Sequence, residues 1–485
     1  MVWIILGALL PLGLYLYHVN WAMKQTPPEF RQSPSRWTVD QIQAAYKKSR
    51  DNPVDVSQSI PPKQSRRYVV VGGAGLVGNW IVTHLLMRGE EPSAIRILDL
   101  LSPTQNILDR GVQWAKTDIT DDLAVTTAFL KPWPASVSHL PLTVYHTAAL
   151  IRPADRLECF MPASTKVNVD GTRNVLNAAR NAGATCFIAT SSGSVSLHSP
   201  TFWIPPWEKL PRRAVQVLRE DAHIPQRHGD FFGNYPLTKI EAERMVRSAH
   251  DPKSNFRTGC IRPGNGVYGI GSDASTTVTG LYLRRGVTAT WIQHVVQSFV
   301  NAENVSIAHL LYEQRLIEQT PSTSTLPDTG GQAFVVTDPN PPISFGDIYL
   351  LLTTVVTTPI SFPVFQPIGL LLLAYAVEIY TFLQFKYLHW LLPPLKGDLA
   401  QLQPSLFAIS DVFCVADDER ARKAPEEGGL GYRAPITTIE GLCRQCIDWN
   451  QKAEAKRVSV AKNIGPVAIT EDGIDVNLVA PPRNL

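Results

Sequence analysis

Tyr235 and Lys239 have the spacing of two side chains that share one face of a helix. The segment 235–239 opens a stretch that runs on to Arg247, and residues i and i+4 of a helix lie side by side. An ammonium group beside a phenol favours the phenolate, because an opposite charge lowers the pKa of an acid. Such a tyrosine can take a proton from an alcohol or give one to a ketone. The spacing predicts an acid–base pair, although Y-x-x-x-K alone is also common on ordinary helix surfaces.

A run of small hydroxyl residues precedes this pair in the chain. Residues 186–189 have the composition of a short buried strand, and residues 190–195 follow as Thr-Ser-Ser-Gly-Ser-Val. A serine at the end of a strand can hold the oxygen of a reacting alcohol by a hydrogen bond. The order of the serines, the tyrosine and the lysine therefore favours chemistry at a carbon–oxygen bond.

Three glycines mark a phosphate-binding turn near residue 72. Gly72, Gly75 and Gly78 follow the apolar run 68–71 and precede a helix with apolar periodicity. Glycine at a strand-to-helix turn lets the backbone approach a pyrophosphate at the helix N-terminus. A plain strand–helix turn is the alternative, but the context favours a dinucleotide site.

Asp99 lies 21 residues beyond Gly78, at the end of a second predicted strand. A carboxylate at this point accepts hydrogen bonds from the adenosine ribose hydroxyls and repels a 2′-phosphate. Residues 100–102 are Leu-Leu-Ser and supply no cation for that phosphate. The sequence thus predicts NAD rather than NADP as the cofactor.

These residues require strands and helices that alternate along the chain. Strand-like runs alternate with segments of helical periodicity, one of which is a helix over 168–179. This order is typical of an α/β fold with a doubly wound parallel sheet of the Rossmann type. Beyond residues 68–71, the strand-like runs are 95–98, 112–116, 143–149 and 186–189.

The composition excludes several classes of protein. Apolar residues make up 44% of the 485 residues and charged residues 18%, which excludes a mainly disordered chain. A formal net charge of +3 argues against a nucleic-acid-binding protein with a large basic patch. Six cysteines are too few for a disulfide scaffold, and no pattern of metal ligands is predicted.

The N-terminal segment predicts a membrane anchor over residues 1–23. Residues 2–23 contain no Asp, Glu, Lys or Arg, and a bilayer core needs about 20 apolar residues. Lys24 and Arg31 follow the segment and no basic residue precedes it. The positive-inside rule then places the rest of the chain in the cytosol.

A second charge-poor segment covers residues 348–395. Prolines divide it, and its longest apolar part, 368–385, contains Glu378. A charge at mid-bilayer costs about 2.5–3.5 kcal/mol on insertion scales, so an element lying in the membrane plane is favoured over a second span. A pair of buried core helices fits the pattern equally well.

Taken together, these motifs resemble those of the extended short-chain dehydrogenases/reductases, and more narrowly the 3β-hydroxysteroid dehydrogenase and sterol-4α-carboxylate 3-dehydrogenase group. The resemblance covers about residues 66–450 outside the apolar insertion. The stretches that carry it are 72–78, 144–149, 168–172, 190–195, 235–239, 261–269, 300–309 and 430–435.

The resemblance implies a role for individual residues. Tyr235 would be the acid–base group, Lys239 would support it and hold the nicotinamide ribose, and Ser192 would hold the substrate oxygen. Its cofactor-binding residues would be Gly72, Gly75, Leu76, Val77, Gly78, Asp99, Asp118, Ile119, Ala148 and Pro263, together with Tyr235 and Lys239.

The family also implies an activity and a location. We expect NAD-dependent oxidation of a 3β-hydroxyl on a lipophilic sterol or terpenoid, with or without loss of a C4 carboxylate, in the endoplasmic reticulum membrane. A nucleotide-sugar epimerase or dehydratase, or a non-catalytic NAD-binding scaffold, is the alternative. No nucleic-acid partner is expected, and a homodimer is compatible with the pattern.

The predicted organisation has a Rossmann domain and a smaller substrate-binding lobe. The predicted boundaries are an anchor at 1–23, a linker at 24–65, the NAD-binding domain at 66–269, the substrate lobe at 270–347 and 396–460, a membrane-associated insertion at 348–395 and a tail at 461–485.

Overall fold

The computed structural model describes residues 2–31, 36–271, 277–320 and 324–463, and it describes the side chains of residues 10–457 within these ranges. Most of the predicted tail, residues 464–485, lies outside them. The strands are β1 (Arg67–Val71), β2 (Ile95–Asp99), β3 (Gln113–Lys116), β4 (Leu142–His146), β5 (Ala184–Thr190), β6 (Val215–Leu218), β7 (Arg257–Pro263), β8 (Val267–Tyr268), β9 (Val296–Gln297), β10 (Val300–Asn301), β11 (Ala333–Val336), β12 (Ile343–Ser344) and β13 (Phe413–Ala416).

Helices separate most of the strands, and a π-helical turn, Lys166–Asp170, leads into the seventh helix. The α-helices are α1 (Val2–Met23), α2 (Val39–Asp51), α3 (Leu76–Met87), α4 (Gln105–Asp109), α5 (Asp122–Leu130), α6 (Met161–Thr165), α7 (Gly171–Asn181), α8 (Asn234–Ser248), α9 (Val278–Arg285), α10 (Ala302–Glu318), α11 (Phe345–Val355), α12 (Pro367–Lys386), α13 (Gly397–Gln401), α14 (Pro404–Ser410), α15 (Glu419–Arg422) and α16 (Thr438–Asn463).

A seven-stranded parallel sheet forms the larger part of the molecule, which confirms the predicted Rossmann fold. Its strand order is β3-β2-β1-β4-β5-β7-β11. The order reverses between β1 and β4, and a ligand crevice lies at the carboxyl ends of the strands at such a point. The predicted glycine loop follows β1 and therefore lies at this crevice.

Both faces of the sheet are covered by helices. Tyr68 and Val70 of β1 pack in the layer of α3 and α10, whereas Val69 and Val71 pack in the layer of α5, α7 and α8. All four side chains are fully buried. Because successive side chains of a strand point to opposite faces, a continuous β-branched run is what a sheet covered on both sides requires.

A smaller lobe surrounds a second sheet of order β12-β9-β13-β6. Strand β13 pairs in parallel with both β6 and β9, while β12 pairs antiparallel with β9. Its apolar core joins residues of α9, α11, α12, α14 and α16. The segment 24–65, predicted as a linker, contributes α2, whose Ile42 is fully buried in the same core.

The two halves of the predicted insertion 348–395 differ in the structure. Ile348, Leu351 and Leu352 of α11 are buried, so this helix belongs to the core of the smaller lobe. By contrast, α12 leaves much of its apolar surface exposed. Among the helices whose side chains are described throughout, α12 is the one long and apolar enough to cross a membrane, with a mean hydropathy of 1.7.

Candidate active site

The glycine loop between β1 and α3 is too tight to admit side chains at two positions. A Cβ atom on Gly78 would lie 2.2 Å from the carbonyl oxygen of Gly72. Gly72 has a φ of +82°, and a Cβ there would lie 2.6 Å from the backbone nitrogen of Ala148. Glycine is therefore required by both space and backbone conformation, and the loop lies against Ala148 after β4.

The N-terminus of α3 opens directly from this loop. Gly75 is the capping residue, and Leu76, Val77 and Gly78 form the first turn. First-turn N–H groups have no acceptor within their own helix, and the helix dipole adds positive potential there. Backbone donors, a tight glycine turn and the sheet crevice together fit the pyrophosphate of a dinucleotide.

Asp99 lies beside the glycine loop, where a ribose next to that pyrophosphate would lie. Its carboxylate accepts hydrogen bonds of 3.0 Å from the backbone N–H groups of Ala74 and Leu101. Each carboxylate oxygen has a further lone pair for a ribose hydroxyl. The structure thus fixes the orientation of the group that the sequence predicts to select NAD.

The remaining predicted cofactor residues lie at the same edge of the sheet. Asp118 and Ile119 follow β3, and Asp118 is exposed whereas Ile119 is buried. The side chain of Ile119 packs against the backbone of Gly171, where a Cβ would lie only 2.7 Å from it. Pro263 ends β7, and its carbonyl oxygen would lie 2.8 Å from a Cβ on Gly193. Pro263 therefore lies directly behind the loop of strand-end serines.

The three predicted catalytic side chains converge where β5 ends. The Ser192 hydroxyl lies close enough to the Tyr235 phenol to favour its ionised form, and Ser192 Oγ lies 2.7 Å from Ser194 Oγ. Lys239 Nζ donates a 2.7 Å hydrogen bond to the carbonyl oxygen of Thr190, the last residue of β5. Helix α8 carries the tyrosine and the lysine, so one helix sets both positions.

The electrostatics of this site differ from the prediction. Burial raises the pKa of Tyr235 to about 12, against the opposing effect of the Ser192 hydrogen bond. Burial also lowers the pKa of Lys239 to about 8. The sequence predicts that Lys239 lowers the pKa of Tyr235, but in the structure its ammonium group is directed to the Thr190 carbonyl and desolvation of the phenol dominates.

A buried ion pair that the sequence did not predict holds α8 on the sheet. Glu243 accepts hydrogen bonds of 2.8 and 2.6 Å from the guanidinium of Arg262 on β7, and one of 2.6 Å from Ser191 Oγ. Although burial opposes ionisation, the Arg262 hydrogen bonds hold the pKa of Glu243 below its ordinary value. Glu243 is four residues beyond Lys239 and lies on the same helix face, and this spacing could have identified it in the sequence as a residue of the site.

The segment between Ser192 and Tyr235, predicted as a lid or a packed loop, packs against the smaller lobe. Its strand β6 pairs with β13. Phe202 and Phe232 are buried, and Trp203 lies 6.1 Å from the ring of Tyr375 on α12. Aromatic side chains therefore connect the catalytic residues with the smaller lobe and α12.

The fold and the site define a dinucleotide-dependent oxidoreductase of the short-chain dehydrogenase type. A model of the 3-beta hydroxysteroid dehydrogenase/isomerase family matches residues 69–359, which is more than half of the chain. The chain belongs to this family and is a dehydrogenase-like oxidoreductase.

Several characterised relatives are similar to the chain at modest identity. The bovine (Bos taurus) sterol-4-alpha-carboxylate 3-dehydrogenase, decarboxylating, is 28% identical over 288 residues, which cover 59% of this chain and 68% of that protein. The mouse (Mus musculus) 3 beta-hydroxysteroid dehydrogenase type 7 is 28% identical and covers 80% of this chain and 96% of its own length.

Solved structures share the fold at lower identity. MoeE5 in complex with UDP-glucose and NAD matches with a TM-score of 0.53 and 17% identity, covering 80% of this chain and 99% of that one. The UDP-glucose 4-epimerase of Thermus thermophilus in complex with NAD matches with a TM-score of 0.50 and 19% identity, covering 80% of this chain and 99% of that one. At these identities the likeness concerns the fold alone.

Replacement of Asp99 by Asn should weaken NAD binding by roughly 10- to 100-fold, because the ribose loses hydrogen bonds to a charged acceptor. NADP binding should change little or improve, because the charge that repels its 2′-phosphate is gone. Titration of both dinucleotides by intrinsic fluorescence measures the two affinities. The Asn side chain keeps an oxygen for one of the two N–H groups, of Ala74 or Leu101, and turns its NH2 towards the other, a local cost that both dinucleotides share. A larger loss for NAD than for NADP therefore supports this role for Asp99, and equal losses would refute it.

Proposed function

We propose that this protein oxidises the 3β-hydroxyl group of a sterol or triterpenoid-like substrate, with loss of a C4 carboxylate where the substrate carries one. The observation that carries the proposal is the convergence of Ser192, Tyr235 and Lys239 at the end of β5, next to the dinucleotide crevice. The names of the relatives, sterol-4-alpha-carboxylate 3-dehydrogenase and 3 beta-hydroxysteroid dehydrogenase, support the substrate class. The substrate would lie between this site and the lobe of residues 270–347 and 396–460.

The cofactor is NAD, which when bound accepts the hydride from the carbinol carbon. Tyr235 removes the proton of the substrate hydroxyl, and Ser192 donates a hydrogen bond to the same oxygen. Lys239, whose ammonium group donates to the Thr190 carbonyl, would also hold the nicotinamide ribose beside Tyr235. A carboxylate on the neighbouring carbon would then be part of a β-keto acid, and carbon dioxide leaves as the ketone takes up the electron pair of the breaking bond.

Replacement of Tyr235 by Phe should lower the turnover of the sterol substrate by a factor of about 10²–10⁴, because general acid–base catalysis is lost. Binding of NAD should persist, because the glycine loop and Asp99 are untouched. The measurement is NADH formation by microsomes that contain the full chain, with a panel of 3β-hydroxysteroids, 4-carboxysterols and UDP-sugars.

The same panel distinguishes the competing functions. Oxidation of the sterols by the unaltered protein, lost in the Tyr235→Phe variant, supports the proposal. Turnover of UDP-sugars alone would identify a nucleotide-sugar enzyme instead. NAD binding with no turnover of any class would indicate a scaffold, and near-normal turnover of the variant would remove Tyr235 from the mechanism.

We further propose that the protein is bound to the endoplasmic reticulum membrane, with α1 as its anchor and α12 lying in the plane of the bilayer. Glu378, in the middle of α12, accepts two hydrogen bonds of 2.6 and 2.7 Å from the guanidinium of Arg156 on the catalytic body. Leu371 and Ala374 on the same face are fully buried. A helix held along this face by the body is favoured to lie beside it rather than to cross the membrane.

A second face of α12 is apolar and exposed. Leu372, Ile379 and Leu383 lie on one side of the helix and are exposed by 44%, 57% and 38%. Helix α1 runs close by, since Asn20 donates a 2.8 Å hydrogen bond to the side chain of Gln366. Exposed apolar side chains on two adjacent helices form a surface suited to the acyl region of a leaflet.

Fluorescent labels at residues 372, 379 and 383 should report one common depth in the bilayer if α12 lies in the plane. A helix that crosses the membrane would instead spread these sites over about 16 Å of depth, at 1.5 Å per residue. Each site is replaced by Cys in a Cys159→Ser background, since Cys159 is half-buried and the other five cysteines are buried. Quenching by lipids that carry a quencher at graded depths measures the position of each label.

A Leu123→Cys label is the matched control, because Leu123 is 75% exposed on α5 of the Rossmann body. Equal quenching at the three α12 sites with no quenching at residue 123 supports the in-plane arrangement. Graded depths along α12 would establish a span, and the absence of quenching at all three sites would exclude contact of α12 with the membrane.

A further inference from the structure

A small cavity lies inside the protein beneath the catalytic lysine. Its volume is about 10 Å³, which is room for a single water molecule. Four elements of the Rossmann domain that surround the site, β4, β5, β7 and α8, contribute to its wall, and α7 completes it. The polar residues that line it are His146, Thr172, Thr190, Ser191, Lys239 and Glu243.

Most polar side chains around this cavity already have partners. Ser191 and Glu243 are bonded to each other, and Thr190 Oγ1 lies 2.8 Å from His309 Nε2. The exception is His146, which is 3% exposed and whose Nδ1 has no hydrogen-bond partner. A buried nitrogen without a partner is costly, and a water molecule is the usual remedy.

The hydrogen bonds of Thr172 determine the tautomer of His146. The Thr172 hydroxyl donates its proton to the carbonyl oxygen of Asn168 at 2.7 Å. It must therefore accept the 2.9 Å hydrogen bond that joins it to His146 Nε2, so Nε2 carries the ring proton. Burial lowers the pKa of His146 to about 3, so the ring is neutral and Nδ1 is an acceptor.

Lys239 is the donor that can reach the same space. Its ammonium group has three protons, and the Thr190 carbonyl oxygen accepts one of them. Three titratable groups of the cavity wall bear on its charge, namely His146 from β4, Cys260 from β7 and Glu243 from its own helix α8. Tyr235 lies one turn before Lys239 on the same helix, next to Ser192. Among these neighbours, His146 is the neutral group with an acceptor nitrogen that has no other partner.

We propose that one buried water molecule occupies this cavity, accepts a hydrogen bond from Lys239 Nζ and donates one to His146 Nδ1. In this arrangement His146 is a positioning residue: through the water it stabilises the ammonium form of Lys239 and directs its remaining proton towards the active site. The mechanistic part rests on the proposed function, whereas the water site itself does not. A histidine that otherwise has only a packing role thereby takes part in the acid–base site.

The test compares two replacements that each retain one half of the imidazole. His146→Asn keeps an oxygen at the place of Nδ1, facing the water, but loses the bond to Thr172. His146→Gln keeps a donor to Thr172 but loses the acceptor at Nδ1. A role in packing alone predicts that the two variants behave alike.

The expected difference is in the pH profile of kcat. Loss of the acceptor favours the neutral amine, so the pKa of Lys239, about 8, falls. The decline of activity on the alkaline side then begins at a lower pH. We expect the alkaline limb of His146→Gln to shift down by roughly 0.5–1 pH unit, the effect of one hydrogen bond, and that of His146→Asn to remain in place. Equal shifts in both variants, or none in either, would overturn the proposal.

A crystal structure of the unaltered protein is the second measurement, and it serves even if a variant fails to fold. Density for a water within hydrogen-bond distance of both Lys239 Nζ and His146 Nδ1 supports the proposal, and a dry cavity overturns it. This measurement needs no substrate. A protein that holds the water but oxidises no sterol would therefore refute the proposed function and leave the water site standing.

Discussion

The buried carboxylate of Glu243 determines where the catalytic helix lies. It accepts hydrogen bonds from Arg262 on β7 and from Ser191 at the end of β5, and it follows Lys239 by one helical turn. A buried ion pair of this kind adds little net stability, because desolvation offsets the attraction, but removal of one partner leaves an uncompensated charge. Its effect here is geometric: it fixes α8 against two strands, and the positions of Tyr235 and Lys239 follow.

Local patterns made the Rossmann half of the molecule predictable from the sequence. The β-branched run before Gly72, the glycine spacing and the acid at residue 99 each depend on neighbours within a few residues, and the structure places them at one crevice. Long-range pairs could not be predicted in this way. Glu243 meets Arg262 of the following strand, and Glu378 meets Arg156 from 222 residues earlier in the chain, only once α8 and α12 have packed against the body.

The acid–base site shows what spacing alone cannot establish. A tyrosine and a lysine four residues apart share a helix face, but the pKa of each depends on burial and on where the ammonium group is directed. In the structure that group is bonded to the Thr190 carbonyl, and the phenol is buried beside Ser192. The same holds for His146 on β4, whose partner Thr172 lies on α7 and which lines one cavity with Lys239 of α8. The protonation states and contacts of such side chains can be assigned only once the sheet has brought the elements together.

The pair of Arg156 and Glu378 has a consequence for the order of events during synthesis. Arg156 leaves the ribosome 222 residues before Glu378, so the cation is already present when α12 is made. An unpaired carboxylate disfavours lateral insertion of α12 into the lipid, whereas its apolar residues favour it. In the proposed membrane-bound protein, the partner supplied by the earlier part of the chain would compete with the translocation machinery for this helix. A charge that looks out of place in a long apolar helix therefore ties that helix to the body of the protein.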